Sequence, residues 1–235
     1  MRRLIASTFL FMTLAGCDGA APAPSAAPAD AEASWSDQVD AVRGGRAAEI
    51  RLAATVTSEQ FRELSTECDG LTALVLERAQ LDDADLAVLT ALPHLRWIKL
   101  PSPVGDEGVA IIGRCEVLEI VNLPAAVFTD AGLSHLAKLD RLELLRFSSP
   151  NVTDAGLKEL PRLPRLKFLH LLDVPMTDAG LQHVAAVETL ESFYLDGETG
   201  ATDDGLRRLL AERPDLHFHK DQQHLPGDPN VHRHE

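Results

Sequence analysis

The sequence is short of basic side chains: 22 Lys and Arg stand against 36 Asp and Glu, for a formal charge of −14 at neutral pH. A chain this acidic lacks the positive face that phosphate neutralisation requires, which excludes generic nucleic-acid binding. It has no charge-based hold on anionic lipid either. Cysteine is scarce, with three in 235 residues, and none lies beside the C-terminal histidines to complete a zinc signature. No Gly-rich phosphate loop, nucleophile elbow or paired-carboxylate motif is present. The expectation is therefore a protein that is not an enzyme and that needs no cofactor and no metal. The N-terminal apolar run, Leu4 to Ala15, is too short to span a bilayer. What the chain does have is apolar content: 45% hydrophobic residues are enough for one substantial core.

The short apolar run follows Arg2 and Arg3, the order of a secretory signal. It ends in Leu14-Ala15-Gly16-Cys17, which resembles the lipobox of bacterial lipoproteins. The resemblance implies a signal peptide over 1–16, lipidation at Cys17, and a folded part held at a bacterial membrane in the cell envelope, in the periplasm or outside the cell. Residues 17–34 form an Ala/Pro-rich linker with little to bury, and 220–235 a polar, His-containing tail. The folded domain is expected over 35–219. Ser36 to Val42 reads as a capped amphipathic turn or two, ending at Gly44-Gly45, that shields an open core edge.

Within that domain Thr-Asp-Ala-Gly-Leu occurs three times, at Thr129, Thr153 and Thr177, at a spacing of 24 residues. Looser copies surround it, aligning Asp83, Asp106, Asp130, Asp154, Asp178 and Asp203. Before each copy stands L-x-x-L-x-L, as in Leu118-Val121-Leu123, Leu142-Leu145-Phe147 and Leu166-Leu169-Leu171. The end of that pattern alternates with the period of a strand, while Leu157, Leu160 and Leu163 recur at helical spacing. Each unit is thus strand, turn, helix. Ile50 to Leu52 reads as a first strand and Leu216 to His219 as a truncated last one.

This pattern resembles the leucine-rich-repeat family, in the Thr-Asp-Ala-Gly-Leu variant of planctomycete-type bacterial proteins. The resemblance covers residues 50–219 and implies an α/β solenoid, a horseshoe with a parallel sheet on its concave face and helices on its convex face. One departure is plain. The family's asparagine after the strand is replaced by Ala79, Pro103, Ala126, Pro150, Val174 and Glu198, so turn backbone groups need water or helix-start side chains as partners. From this a fully helical convex side is expected. Gly132, Gly156 and Gly180 are poor helix formers, which points to close approach of each helix to a neighbouring turn.

Cys68 and Cys115 occupy one apolar column two repeats apart, roughly 10 Å between Cα atoms at strand spacing, too far for a disulfide. Two buried free thiols are expected. The aspartate column, read as a calcium or relay site, would need oxygens converging on one point, whereas one carboxylate per helix start explains each member. His217, His219, His224, His232 and His234 crowd the C-terminus without a ligand spacing.

Residues alternating with the strand leucines point to the concave side. Trp97, Ile120, Leu144 and Phe168 form an apolar stripe there, next to Lys99, Asn122, Arg146, His170 and Tyr194. Aromatic and arginine side chains are the usual anchors of interfaces, so these nine are the candidate partner-binding residues. The reading is a membrane-anchored, monomeric module that binds a protein partner. Its alternatives are an envelope hydrolase or carbohydrate-binding accessory using Tyr194, Trp97 and His170, or a purely structural envelope protein.

Overall fold

The computed structural model describes residues 33–223. The expected signal peptide with Cys17, most of the expected 17–34 linker and the tail histidines His224, His232 and His234 lie outside the described residues.

The period-two alternation becomes strands wherever the L-x-x-L-x-L pattern occurs. Among the described residues they are β1 (Glu49–Thr57), β2 (Ala73–Gln80), β3 (Trp97–Lys99), β4 (Ile120–Leu123), β5 (Leu144–Ser148), β6 (Phe168–Leu172), β7 (Ser192–Asp196) and β8 (His217–Lys220). They lie side by side in chain order as one parallel sheet. Helical segments precede and connect them: α1 (Trp35–Arg43) comes before β1, and α2 (Ser58–Arg62), α3 (Asp106–Ile112), α4 (Asp130–Leu136), α5 (Asp154–Leu157), α6 (Asp178–Ala185) and α7 (Asp203–Glu212) lie between strands. This is the leucine-rich-repeat solenoid.

The strand leucines run as files. Leu123, Phe147, Leu171 and Leu195 pair in register, and Val121, Leu145, Leu169, Phe193 and Phe218 form a second file beside them. Leu76 and Leu100 are equally buried. No unit can hide its own apolar side, so each file is covered only because its neighbours are present. The first file ends where Lys220 takes the leucine position beside Leu195. Lys220, read in the sequence as the start of the tail, is the last residue of β8. Cys68 and Cys115 are both free and buried. Burial in apolar surroundings raises both thiols, Cys115 to about 11.

Three expectations change. The first strand is nine residues long, not three, and carries a register shift between Leu52 and Thr55. The N-terminal helix starts earlier: its cap is Ser34, in a reciprocal box with Asp37, and it buries Trp35, Val39 and Val42. The convex side is not fully helical in the α sense. Asp83–Ala91 winds as a 3-10 helix, and α5 stops after one turn, followed by a 3-10 turn at Leu160–Arg162. Pro161 supplies a cause for the latter, since it has no N–H to continue an α ladder.

The repeat signature itself resolves into one device. Thr129, Thr153 and Thr177 cap α4, α5 and α6, each hydroxyl accepting from the N–H two residues on at 3.2 Å. The aspartate that follows does not serve its own helix. Asp130 accepts from the Thr153 N–H and hydroxyl of the next repeat, both at 2.7 Å. Asp106 holds Thr129, Asp154 holds Thr177 and Asp178 holds Thr202 in the same two-pronged way. The glycine makes room for this carboxylate. A Cβ on Gly132 would stand 2.6 Å from Asp106 Oδ1, and one on Gly156 would meet both Asp130 Oδ1 and, at 3.0 Å, the Asp130 Cα.

This ladder, not an asparagine one, ties repeat to repeat. Turn carbonyls are taken by further side chains: Ser149 Oγ donates to the Phe128 carbonyl and Asn151 Nδ2 to the Val127 carbonyl, both at 2.6 Å. The first unit departs from the pattern. There Asp85 is buried, accepting from the Ser58 hydroxyl and the Arg62 guanidinium of α2. Burial works to raise its pKa, but the Ser58 hydroxyl, the Asp82 N–H and Arg62 together hold the carboxyl below its ordinary value.

Candidate functional site

On the sheet face opposite the helices, strand pairing sets the candidate residues in two straight rows. The first is Ala73, Trp97, Ile120, Leu144, Phe168 and Ser192. Its ends, Ala73 and Ser192, are buried, while Trp97 to Phe168 are half-buried. Four large apolar side chains therefore stand in line at the strand spacing of about 4.8 Å. The Arg51 guanidinium of β1 lies 4.2 Å from the Trp97 ring centroid, a cation–π contact.

The second row is Val75, Lys99, Asn122, Arg146, His170, Tyr194 and His219. Here the side chains are tied to one another. Lys99 pairs with Glu77. Arg146 donates through Nε to His170 Nδ1 and through a terminal nitrogen to Asn122 Oδ1, both at 3.1 Å. A guanidinium only donates, so Nδ1 of His170 is the accepting nitrogen and Nε2 carries the proton. That proton is given to Asp196 Oδ2 at 2.8 Å. Burial lowers the His170 pKa, and the nearby Arg146 charge adds to this. The hydrogen bond to Asp196 opposes both without cancelling them. Burial also lowers Arg146 and raises Tyr194. Tyr194 stacks between His170 and His219, at 5.5 and 5.1 Å between ring centroids.

All nine candidate residues from the sequence thus come together on one face. The sequence reading passed over Arg51, Asp196 and His219 as site residues. Arg51 and His219 sit on strands read as half-repeats, and extending the two-residue alternation onto β1 and β8 places both in these rows. Asp196 lies two residues beyond Tyr194 at the end of β7, and only geometry shows that it receives the His170 proton.

Both nitrogens of His170 are engaged, one by a cation, so it offers no lone pair to abstract a proton. Surface depressions occur elsewhere, one of about 470 Å³ along Glu143, Pro164, Arg165, Lys167, Thr189 and Glu191. Among the described residues no group of three or more His, Cys, Asp or Glu converges as a metal site, and no helix is long and apolar enough to cross a membrane.

No protein-family model matches the chain, and no curated protein matches its sequence. Solved structures do resemble its fold. An internalin from Listeria monocytogenes superposes with a TM-score of 0.54 at 18% identity, over 69% of this chain and 51% of that one. The leucine-rich-repeat ectodomain of the Arabidopsis receptor kinase HAESA, solved with a peptide hormone ligand, gives 0.42 at 16% identity, over 72% and 37%. That of the Arabidopsis receptor kinase GASSHO1/SCHENGEN3 gives 0.43 at 13%, over 74% and 24%. This chain therefore spans about half of the internalin and less of the receptors.

Proposed function

We propose that this leucine-rich-repeat solenoid is a binding module, tethered to a bacterial membrane through lipid on Cys17, that captures a protein partner on the sheet face opposite its helices. The observation that carries the reading is the in-register line Trp97, Ile120, Leu144 and Phe168 beside the hydrogen-bonded Asn122, Arg146 and His170. Contiguous apolar surface that is not fully covered by its own fold is uncommon on a soluble protein unless something covers it. The neighbouring polar groups are already held in place, so a partner would not have to freeze them, and binding costs less side-chain entropy. Three strand spacings separate its four side chains, giving the stripe a length of about 14 Å, which suits an extended segment or a loop better than a small molecule.

The test has two arms. A photo-crosslinking side chain at position 168 is expected to join one stoichiometric partner in native membranes, while the same group at Ala131 on the convex side is not. Trp97→Ala with Phe168→Ala should weaken that capture roughly thirtyfold or more, as for two interface anchors, with the circular dichroism of the fold unchanged. Loss of the fold instead would make the stripe part of the core and sink the reading. For the tether, Cys17→Ser should move the chain from the membrane to the soluble fraction and abolish incorporation of a labelled fatty acid.

A further inference from the structure

The cations around the apolar stripe are not alike. Arg51, Arg96, Lys99 and Lys167 each have a carboxylate within ion-pair reach, from Glu49, Glu119, Glu77 and Glu143 in turn. Arg146, at the centre of the face on β5, has none among the described residues. Its hydrogen bonds go to the Asn122 amide oxygen and to His170 Nδ1, two uncharged acceptors. The Asp196 carboxylate acts on it only from across the His170 ring. Its second terminal nitrogen, Nη2, has no hydrogen-bond partner among the described residues, yet is not sealed from solvent. A guanidinium held half-buried by neutral groups has lost water without gaining a countercharge, and its planar fork of donors matches a carboxylate.

We propose that Arg146 sets the specificity of this face by receiving a side-chain carboxylate, Asp or Glu, from an extended segment of the partner whose neighbouring apolar side chains lie on the stripe. The inference rests on the binding-module reading above. The position of Arg146 chooses between a side chain and a chain end. Leu144, two residues before it on β5, has Trp97 and Ile120 to one side and Phe168 to the other. A segment that covers the whole stripe therefore passes Arg146 in mid-course, whereas a terminal carboxylate there would leave part of the stripe bare. With a formal charge of −14 the chain repels acidic partners at long range. Attraction exists only at contact, where it discriminates between segments instead of speeding their encounter.

The probe is a display library of random linear peptides of about nine residues, long enough when extended to cross the stripe. The peptides are joined to their carrier at both ends and selected on the full chain with Cys17→Ser. Those selected are expected to carry one Asp or Glu with large apolar residues on both sides. Replacing that acid by its amide should weaken binding about tenfold or more. On Arg146→Gln the same replacement should cost nothing further, whereas Arg146→Lys, which keeps the charge without the fork, should retain part of the preference. Lys158→Gln, which removes an equal charge just after α5 on the convex side, should leave the preference intact. Circular dichroism checks the fold of each variant, and the change made in the peptide tests the pairing on the chain with Arg146 in place, whatever Arg146→Gln does to folding. A second library with free C-termini decides the source: enrichment of peptides whose only carboxylate is the terminal one overturns the assignment to a side chain. So do apolar binders without an acid, or an acidic preference that survives Arg146→Gln. These outcomes leave the binding-module reading standing, while a failure of any apolar peptide to bind overturns both.

Discussion

A single carboxylate shows how the repeat signature acts. Asp130 accepts twice from Thr153, so Asp130→Ala leaves an N–H and a hydroxyl to find water in a crowded turn. A loss of about 1–3 kcal/mol is expected, read as a lower urea midpoint. Gly156→Ala sets two effects against each other. Alanine favours a helix by about 1 kcal/mol over glycine, but its Cβ would press on the Asp130 carboxylate and, at 3.0 Å, on the Asp130 Cα. Overpacking against backbone costs about 1–3 kcal/mol, and it should win. A higher midpoint for Gly156→Ala would refute the close approach. Acid should act on the same ladder. The Thr202 N–H, then its hydroxyl, and Arg208 hold Asp178 below the usual carboxylate range. A carboxylate depressed on folding contributes in full above its unfolded value, and the contribution is lost as pH falls through the folded value. Asp178→Asn is therefore expected to lower the urea midpoint near neutrality and to flatten its decline between about pH 5 and pH 2.

Among the elements, strands were far more legible than helices. Leu145 and Phe147 announce β5 because alternate burial has a period that nothing else imitates over five residues. Asp83–Ala91 could not be told from an α-helix, since three- and four-residue winding place apolar side chains on nearly the same face over so short a run. The distinction rests on contacts with the unit before, such as Asp85 turned in toward Ser58 and Arg62. Turn chemistry was half legible: the loss of asparagine was visible, but its replacement by Ser149 and Asn151 reaching back to the preceding turn was not. The nine site residues followed directly from alternation, whereas the Arg146–His170–Asp196 chain depends on side-chain rotamers, which no periodicity encodes. The core files give a prediction at this scale. Phe147 is fully buried and packs on Phe128 with centroids 5.1 Å apart. Phe147→Ala should cost about 3–5 kcal/mol by calorimetry or denaturant, and a loss below about 1 kcal/mol would mean that the files are loosely packed.

Across the described residues, each strand pairs only with those of the adjoining repeats, as the order β1 to β8 shows. Stability should then be local and additive along the array. Trp35 closes one end, buried in α1 with its indole N–H donated to Glu63. Trp35→Ala is expected to speed amide hydrogen exchange in β1 and β2 while leaving β6 and β7 close to their original rates; uniform acceleration would instead mark a single cooperative unit. The threonine–aspartate handshake also bears on how such a chain can grow. Because the donor side of each junction is the same as the one before it, a duplicated stretch from one threonine to the next meets familiar partners at both of its borders. Copying Thr129 to Val152 in tandem should therefore lengthen the array by one strand without redesign, and unequal recombination at these borders offers a ready route by which its length can drift over generations.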